Sequence, residues 1–273
     1  MANETTSGLQ SDSMFFSNWV GSSILDEIRP HFCIEPLMNK ETRKPGLVYN
    51  FPINDDPGPA TSNQAEGTAF TNTALSTSSV TATARLNGQV ATVTDIIDAI
   101  SITDAVSHFS QMLARSVQEE KENTMGAVFA NSTPAWSAAT LAGFYDAMAD
   151  LEAADAAGDF VAVVRPSVLA TLRTDIQTAT GAFQGRETLN TADVVQAQTD
   201  KGGSVGTVGG VATYLTSAAG TSCMFVKGVS HGLYEVWGMK TESHRDIFQP
   251  GTQIAATSLY GVCTVRAAWS SDI

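Results

Sequence analysis

Strict alternation marks one stretch of this chain: Val80, Ala82, Ala84 and Leu86 share one face, and Thr81, Thr83 and Arg85 share the other. A period of two belongs to a β-strand, and this one carries side chains too small to build a core of its own. Asn87-Gly88 interrupts it. That pair reads either as a hairpin turn or as a bulge in one strand continuing through Val90, Thr92 and Thr94. Upstream, residues 47–53 form a shorter predicted strand, broken by Pro52, Pro57 and Pro59 together with Asn54-Asp55-Asp56 and Gly58. An isolated pair of strands is marginal in water. The region therefore reads as an arm that needs another surface to lie on.

The pattern then switches to helical spacing. Ile102, Val106, Phe109, Leu113, Val117, Thr124 and Val128 step by three, four or seven, and Thr103 is a candidate N-cap. Counted to about residue 130, this helix is on the order of 40 Å long, well beyond the globular mean. Gln118, Glu119, Glu120, Lys121 and Glu122 run along it and are expected to form a solvated face. Near the start of the chain, Phe15, Phe16, Trp19, Val20, Ile24 and Ile28 predict a short amphipathic helix stopped by Pro30. Its polar residues Asp26 and Glu27 favour packing onto protein over a membrane surface, which would want Lys and Arg. After Pro134 come a helix from Leu141 stopped by Gly158, a strand over 160–164, a helix opened by Pro166 and a polar loop over about 179–206. Strands over 208–215, 224–226 and 233–237 follow, and 254–269 is one long strand or two around Gly261. The class is α+β, with a long arm inserted before the long helix.

Composition excludes several classes. Of 273 residues 43% are hydrophobic and 16% charged, which argues against a disordered chain. With 28 acidic against 15 basic residues the formal charge is −13, the wrong sign for a surface that wraps nucleic acid. There is no apolar run of membrane-spanning length. Residues 1–7 carry no basic and apolar signal segment, so none is expected. Cys33, Cys223 and Cys263 are widely spaced, without a C-x-x-C, and suit a reducing compartment as small buried hydrophobes.

Candidate chemistry is sparse. Gly228-Val229-Ser230-His231-Gly232 fits G-x-S-x-G, but a nucleophile elbow needs a helix after the serine. Residues 233–237 alternate like a strand, so a hairpin turn is the simpler reading; Glu242 and His244 complete the weak hydrolase alternative. The glycines of residues 202–210 match no phosphate-binding pattern and lead into a strand, as a loop and tight turn would. His31, His108, His231 and His244 have no metal-ligand spacing. Neither a catalytic constellation nor a metal or cofactor site is predicted.

The order of elements, together with several local stretches, resembles tailed-bacteriophage major capsid proteins of the Hong Kong 97-type fold. The stretches are Phe51-Pro-Ile-Asn-Asp-Asp56, Ala65-Glu66-Gly67-Thr68, Ser79-Val-Thr-Ala-Thr-Ala-Arg85 and Val93-Thr94-Asp95. Val163-Val-Arg-Pro-Ser-Val-Leu169, Gly209-Gly-Val-Ala-Thr-Tyr-Leu215 and Gly261-Val-Cys-Thr-Val-Arg266 continue it. The resemblance implies an N-arm (1–44), an E-loop (45–93), a peripheral domain with a spine helix (94–133), an axial domain (134–240) and returning peripheral strands (241–273). It implies self-assembly into hexamers and pentamers of an icosahedral shell, with portal, scaffolding and possible cement partners. Double-stranded DNA would be enclosed without sequence-specific binding, and no membrane would be involved. The virion capsid is the implied location, assembled in the host cytoplasm. Phe15 and Trp19 would anchor the N-arm, and Glu66 and Arg85 would make inter-subunit contacts on the E-loop.

Some members of this fold crosslink an E-loop lysine to a neighbour's asparagine. No lysine lies between Lys44 and Lys121, so a non-covalent shell is expected. The start at Met1 predicts that any scaffold is a separate chain. The acidic excess, including Glu119, Glu120 and Glu122, suggests a lining that repels packaged DNA. An encapsulin-type nanocompartment is the rival on the same fold, and an acidic Ser/Thr-rich adhesin or a serine hydrolase the rivals outside it.

Overall fold

The computed structural model describes residues 32–42, 45–54, 58, 66–67, 69, 74–96, 105–133, 135–136, 138–182, 204–217, 220–246 and 250–272. The expected helix carrying Phe15 and Trp19, and most of the loop over 179–206, lie outside them. Eleven strands and three longer helices make up this part of the chain, so the α+β expectation holds.

Four strands form the first sheet in the order β1 (Asn39–Thr42), β9 (His231–Asp246), β10 (Gly251–Thr264), β4 (Arg85–Thr94). Helix α1 (Ala105–Ala127) lies along β10 and β4 and continues into a 3-10 turn, Val128–Asn131. The contact follows from spacing: Phe109, Leu113 and Val117 recur on one helical face, and they pack on Ala91 and Val93 of β4 and Ile254 and Ala256 of β10. The opposite face of β4 presents Leu86 and Val90 to solvent.

The second sheet runs β11 (Ser270–Asp272), β8 (Cys223–Val226), β5 (Phe160–Val164), β7 (Val211–Leu215), β6 (Ser204–Val208). Helices α2 (Leu141–Ala153) and α3 (Pro166–Ala182) cover one of its faces through Phe144, Leu151, Leu169 and Leu172. Thr140 caps α2, its side chain accepting the Gly143 N–H at 3.2 Å. That helix ends at Ala153, before Asp155 (φ 50°), and so stops earlier than the Gly158 breaker predicts.

The sheet's other face meets the first sheet in a shared core. Val161, Val163 and Phe225 pack there with Leu233, Tyr260, Met125, Phe129, Ile34 and Leu37. All of these are 3% exposed or less, so each contributes roughly 1.5–3 kcal/mol of burial.

Two open alternatives resolve and two local expectations change. Asn87-Gly88 is no hairpin: both sit inside β4 opposite Ser258 and Thr257, and the strand break comes earlier, at Ala84. Glycine serves close approach there, since a Cβ at Gly88 would meet the Ala256 carbonyl oxygen at 2.8 Å. The expected strand over 208–215 is two strands, hinged at Gly209 and Gly210, whose φ of 59° and 86° suit a two-residue turn. The end of the chain runs as one strand, β10, through Gly261 and then leaves the sheet, so that β11 pairs with β8. Finally, residues 227–230 do not close a hairpin. They carry the chain from β8 in one sheet to β9 in the other.

Candidate assembly interface

A third, two-stranded sheet pairs β2 (Val48–Asn54) with β3 (Thr77–Thr83) in antiparallel register, Val48 opposite Thr83 and Asn54 opposite Thr77. It is the predicted arm, and it does lie on something: the β9–β10 face turned away from α1. Tyr49 stacks on Tyr234 with ring centres 5.4 Å apart and meets Phe51 edge-on at 4.8 Å. Phe51 fits against Gly232, where a Cβ would come within 2.8 Å of its ring. Polar contacts close the seam. The Tyr234 hydroxyl donates to the Gly46 carbonyl at 2.7 Å, the Ala84 N–H to Leu47 O at 2.7 Å, and the Arg266 guanidinium to Asn54 O at 3.0 Å.

The predicted apolar face of β3 divides at this seam. Ala82 and Ala84 are buried under Tyr234 and Leu259, whereas Leu86, past the break, is 64% exposed. Leu47, Val48 and Val90 are also more than half exposed. Apolar side chains therefore stand in water at the base of β2 and along β4. Arg85, the first residue of β4, is exposed beside them, and Glu66 is exposed in a turn with Gly67 (φ 81°). Phe15 and Trp19 lie outside the described residues.

The root of the N-terminal segment is anchored by charges that sequence reasoning placed in solvent. Lys121 and Glu122 are 4% and 3% exposed. The Lys121 ammonium donates to Glu35 and to Glu235, each at 2.8 Å, and lies 5.9 Å from the centre of the Tyr260 ring. Lys40 pairs with the same two carboxylates. One Glu122 oxygen accepts the backbone N–H groups of Cys33 (2.9 Å) and Ile34 (3.0 Å). The expected solvated run thus splits: Glu120 is exposed, but helical spacing turns Lys121 and Glu122 under the incoming 33–42 segment.

Partial burial opposes the charge on Glu35 and Glu235, yet hydrogen bonds from Lys121 and Lys40 outweigh it and hold both carboxyls below the ordinary range. Burial pushes the Glu122 carboxyl up, against its two backbone donors. Burial, reinforced by the Glu122 charge, pushes the Cys33 thiol up to about 12. Beside the anchor, Phe32, Glu35, Pro36, Met38, Lys40 and Gln118 line a surface cleft of about 300 Å³.

No nucleophile elbow forms at Gly228–Gly232. Ser230 is fully buried; its Oγ accepts the Val226 N–H at 3.0 Å and lies 2.6 Å from the Trp269 carbonyl oxygen to which it donates. A strand follows instead of a helix, and Glu242 and His244 are exposed farther along β9. Among the described residues no His, Cys, Asp and Glu group is placed to hold a metal, and no helix is long and apolar enough to cross a membrane. All three cysteines are free and buried.

This arrangement is a subunit with a helix-backed sheet, a second sheet covered by two helices, and an arm clamped at its base. Solved structures share it. The capsid of cyanophage P-SCSP1u superimposes with a TM-score of 0.70 at 16% identity, over 100% of this chain and 95% of that one. A chain from Mycobacterium phage Che8 gives 0.68 at 16%, over 93% and 95%. The capsid of Ralstonia phage GP4 gives 0.66 at 12%, over 93% of each. No family model matches the sequence, and no curated protein matches it. At such identities the likeness is one of fold: the chain has the Hong Kong 97-type fold of phage capsid subunits. With Ser230 buried, its hydroxyl engaged and a strand behind it, the hydrolase reading of Gly228–Gly232 is withdrawn.

Proposed function

We propose that this protein is the major capsid protein of a tailed bacteriophage, assembling as hexamers and pentamers of an icosahedral shell around double-stranded DNA. The observation that carries this is the capsid fold matched along the whole chain, including the clamped two-stranded arm. Within it, residues 1–44 act as N-arm and 45–93 as E-loop, 94–133 with 241–273 as peripheral domain, and 134–240 as axial domain. The exposed Leu47, Val48, Leu86 and Val90 suit burial by a neighbouring copy, with Glu66 and Arg85 as polar contacts on the arm and Phe15 and Trp19 anchoring the N-arm. Portal, scaffolding and cement proteins are the partners of such a shell, the virion is its location and the host cytoplasm its place of assembly.

The acidic lining is narrower than the sequence suggests. Glu122 is committed to the Cys33 and Ile34 amides and cannot face DNA, so on this helix the exposed Glu120 is the residue that suits such a lining.

Negative-stain microscopy of the expressed protein tests the proposal. Closed icosahedral particles are expected; a uniformly monomeric protein under assembly conditions would overturn it, and an enzyme cargo in native particles in place of DNA would point to an encapsulin. Particles boiled in SDS should run as monomer, because residues 45–120 contain no lysine to crosslink. A covalent ladder would contradict the non-covalent shell.

A further inference from the structure

We propose that His231 is an acid-responsive lock on the joint between the two sheets, and that proton uptake by its imidazole opens that joint. This does not depend on the shell assignment.

His231 is the first residue of β9, directly after the turn that carries the chain out of the second sheet and into the first. It is 1% exposed. Its ring meets two aromatic rings nearly edge-on, Phe129 after α1 and Phe225 of β8, each with centres 5.1 Å away. The side chain is therefore a wedge where the end of the long helix and both sheets come together. Neither ring nitrogen has a hydrogen-bond partner among the described residues.

The backbone around the ring is tied across the two sheets. The Ser230 carbonyl accepts the N–H groups of Val265 (2.8 Å) and Arg266 (3.0 Å), its hydroxyl ties Val226 to Trp269, and the Gly228 N–H reaches Leu37 O at 2.8 Å. These bonds define one closed arrangement, and the imidazole fills the apolar gap beneath it.

A neutral imidazole tolerates that gap, but a cation without a partner does not. Burial alone moves the His231 pKa down to about 3. The titratable and charged groups that the surrounding elements carry into this region include Cys33 and Glu35 of the 33–42 segment, Lys121 and Glu122 of α1, Cys223 of β8, Lys227 of the turn, Tyr234 and Glu235 of β9, Tyr260 and Cys263 of β10, Arg266 beyond it, and Asp272 of β11. None of them offsets the burial of the ring. Lys121 and Glu235 answer each other, and Cys223, Tyr260 and Cys263 are pushed up and stay neutral in acid.

The sign follows from linkage. With the joint open and the ring in water, an ordinary pKa of about 6.5 applies. Below that value the open form takes a proton that the closed form refuses. Closure is therefore independent of pH above about 6.5 and weakens by up to tenfold per pH unit toward 3. Opening releases the 226–230 turn from Val265, Arg266 and Trp269, so acid loosens the link between the two sheets while the shared core stays in place.

Hydrogen exchange of the full-length chain, corrected for intrinsic rates, tests this between pH 7.5 and 4.5. Protection of the Val226, Val265 and Arg266 amides is expected to fall by up to about tenfold per pH unit below about 6.5. His231→Phe fills the slot with a ring that takes no proton, and its protection should be independent of pH. The combined variant His31→Asn, His108→Asn, His244→Asn should keep the wild-type fall. Solid-state NMR of ¹⁵N-histidine protein reads the ring directly and needs no variant at this site. His231 should stay neutral for as long as the amides stay protected. The same acid fall in His231→Phe, or a His231 that protonates near pH 6.5 with protection intact, would overturn the proposal.

Discussion

Replacing Lys121 with methionine is expected to destabilise the fold by about 3 kcal/mol, the lower end of what breaking a buried ion pair costs. The Lys121 side chain is 5% exposed, and its ammonium bridges the Glu35 and Glu235 carboxylates. Without it, Glu35 and Glu235 share Lys40, whose side chain is 35% exposed and weakened by solvent. Glu35 is itself partly solvated, which keeps the cost at the low end. A second change, Glu235→Leu, removes one of the stranded charges and should recover much of the loss, so the two substitutions will not be additive.

Acid sensitivity should shift in parallel. The lysines hold both carboxyls below their ordinary pKa, so the pair contributes stability above about pH 4.5 that is lost as pH falls through the lowered values. In Lys121→Met that part of the acid transition should shrink. Urea unfolding at pH 7 and pH 4 measures both effects; equal stability of the two proteins at pH 7 would refute the anchor.

Gly261→Val should be the most disruptive glycine substitution at the arm. A Cβ there would stand 2.4 Å from Thr83 O, 2.6 Å from Thr83 C and 2.9 Å from Ala84 N, all of them backbone atoms that no rotamer change can move. The β2–β3 base must lift from β10, at a cost of about 3 kcal/mol or more. Gly210→Ala is the control. Its φ of 86° strains any side chain, but nothing lies within 4 Å, so about 1–2 kcal/mol is expected. Thermal unfolding ranks the two, and limited proteolysis should show new cleavage within 45–83 only for Gly261→Val. If that variant also forms normal particles, the clamp does not govern assembly.

Much of this architecture is legible in local pattern. The helix behind Phe109, Leu113 and Val117 and the buried strand Phe160–Val164 stand where period and propensity place them. So does the helix opened by Pro166. These depend on contacts between near neighbours, and periodicity records which face is covered. The weakness of the 45–94 arm was legible for the same reason: alternation of Ala, Thr and Val announces a strand that cannot bury itself.

What local pattern could not carry is pairing between distant segments. Asn87-Gly88 has the composition of a turn, yet β10 extends alongside it for ten residues and keeps the strand straight. Lys121 and Glu122 look like part of a solvated run because their partners Cys33, Ile34 and Glu35 lie more than eighty residues away. The same holds for His231, whose slot is made by rings from two other elements.

The alternating stretch over 80–86 shows both halves. That Val80, Ala82, Ala84 and Leu86 alternate is readable from the residues alone, because side-chain direction in a strand is a local, two-residue property. Which of them are covered depends on the folded chain: β3 ends at Thr83, and the chain crosses at Ala84 from the two-stranded arm to the edge of the four-stranded sheet. Ala82 and Ala84 are therefore sealed beneath Tyr234, and Leu86 is left in water. Burial depends on what the rest of the chain brings alongside, and no spacing along a strand encodes that.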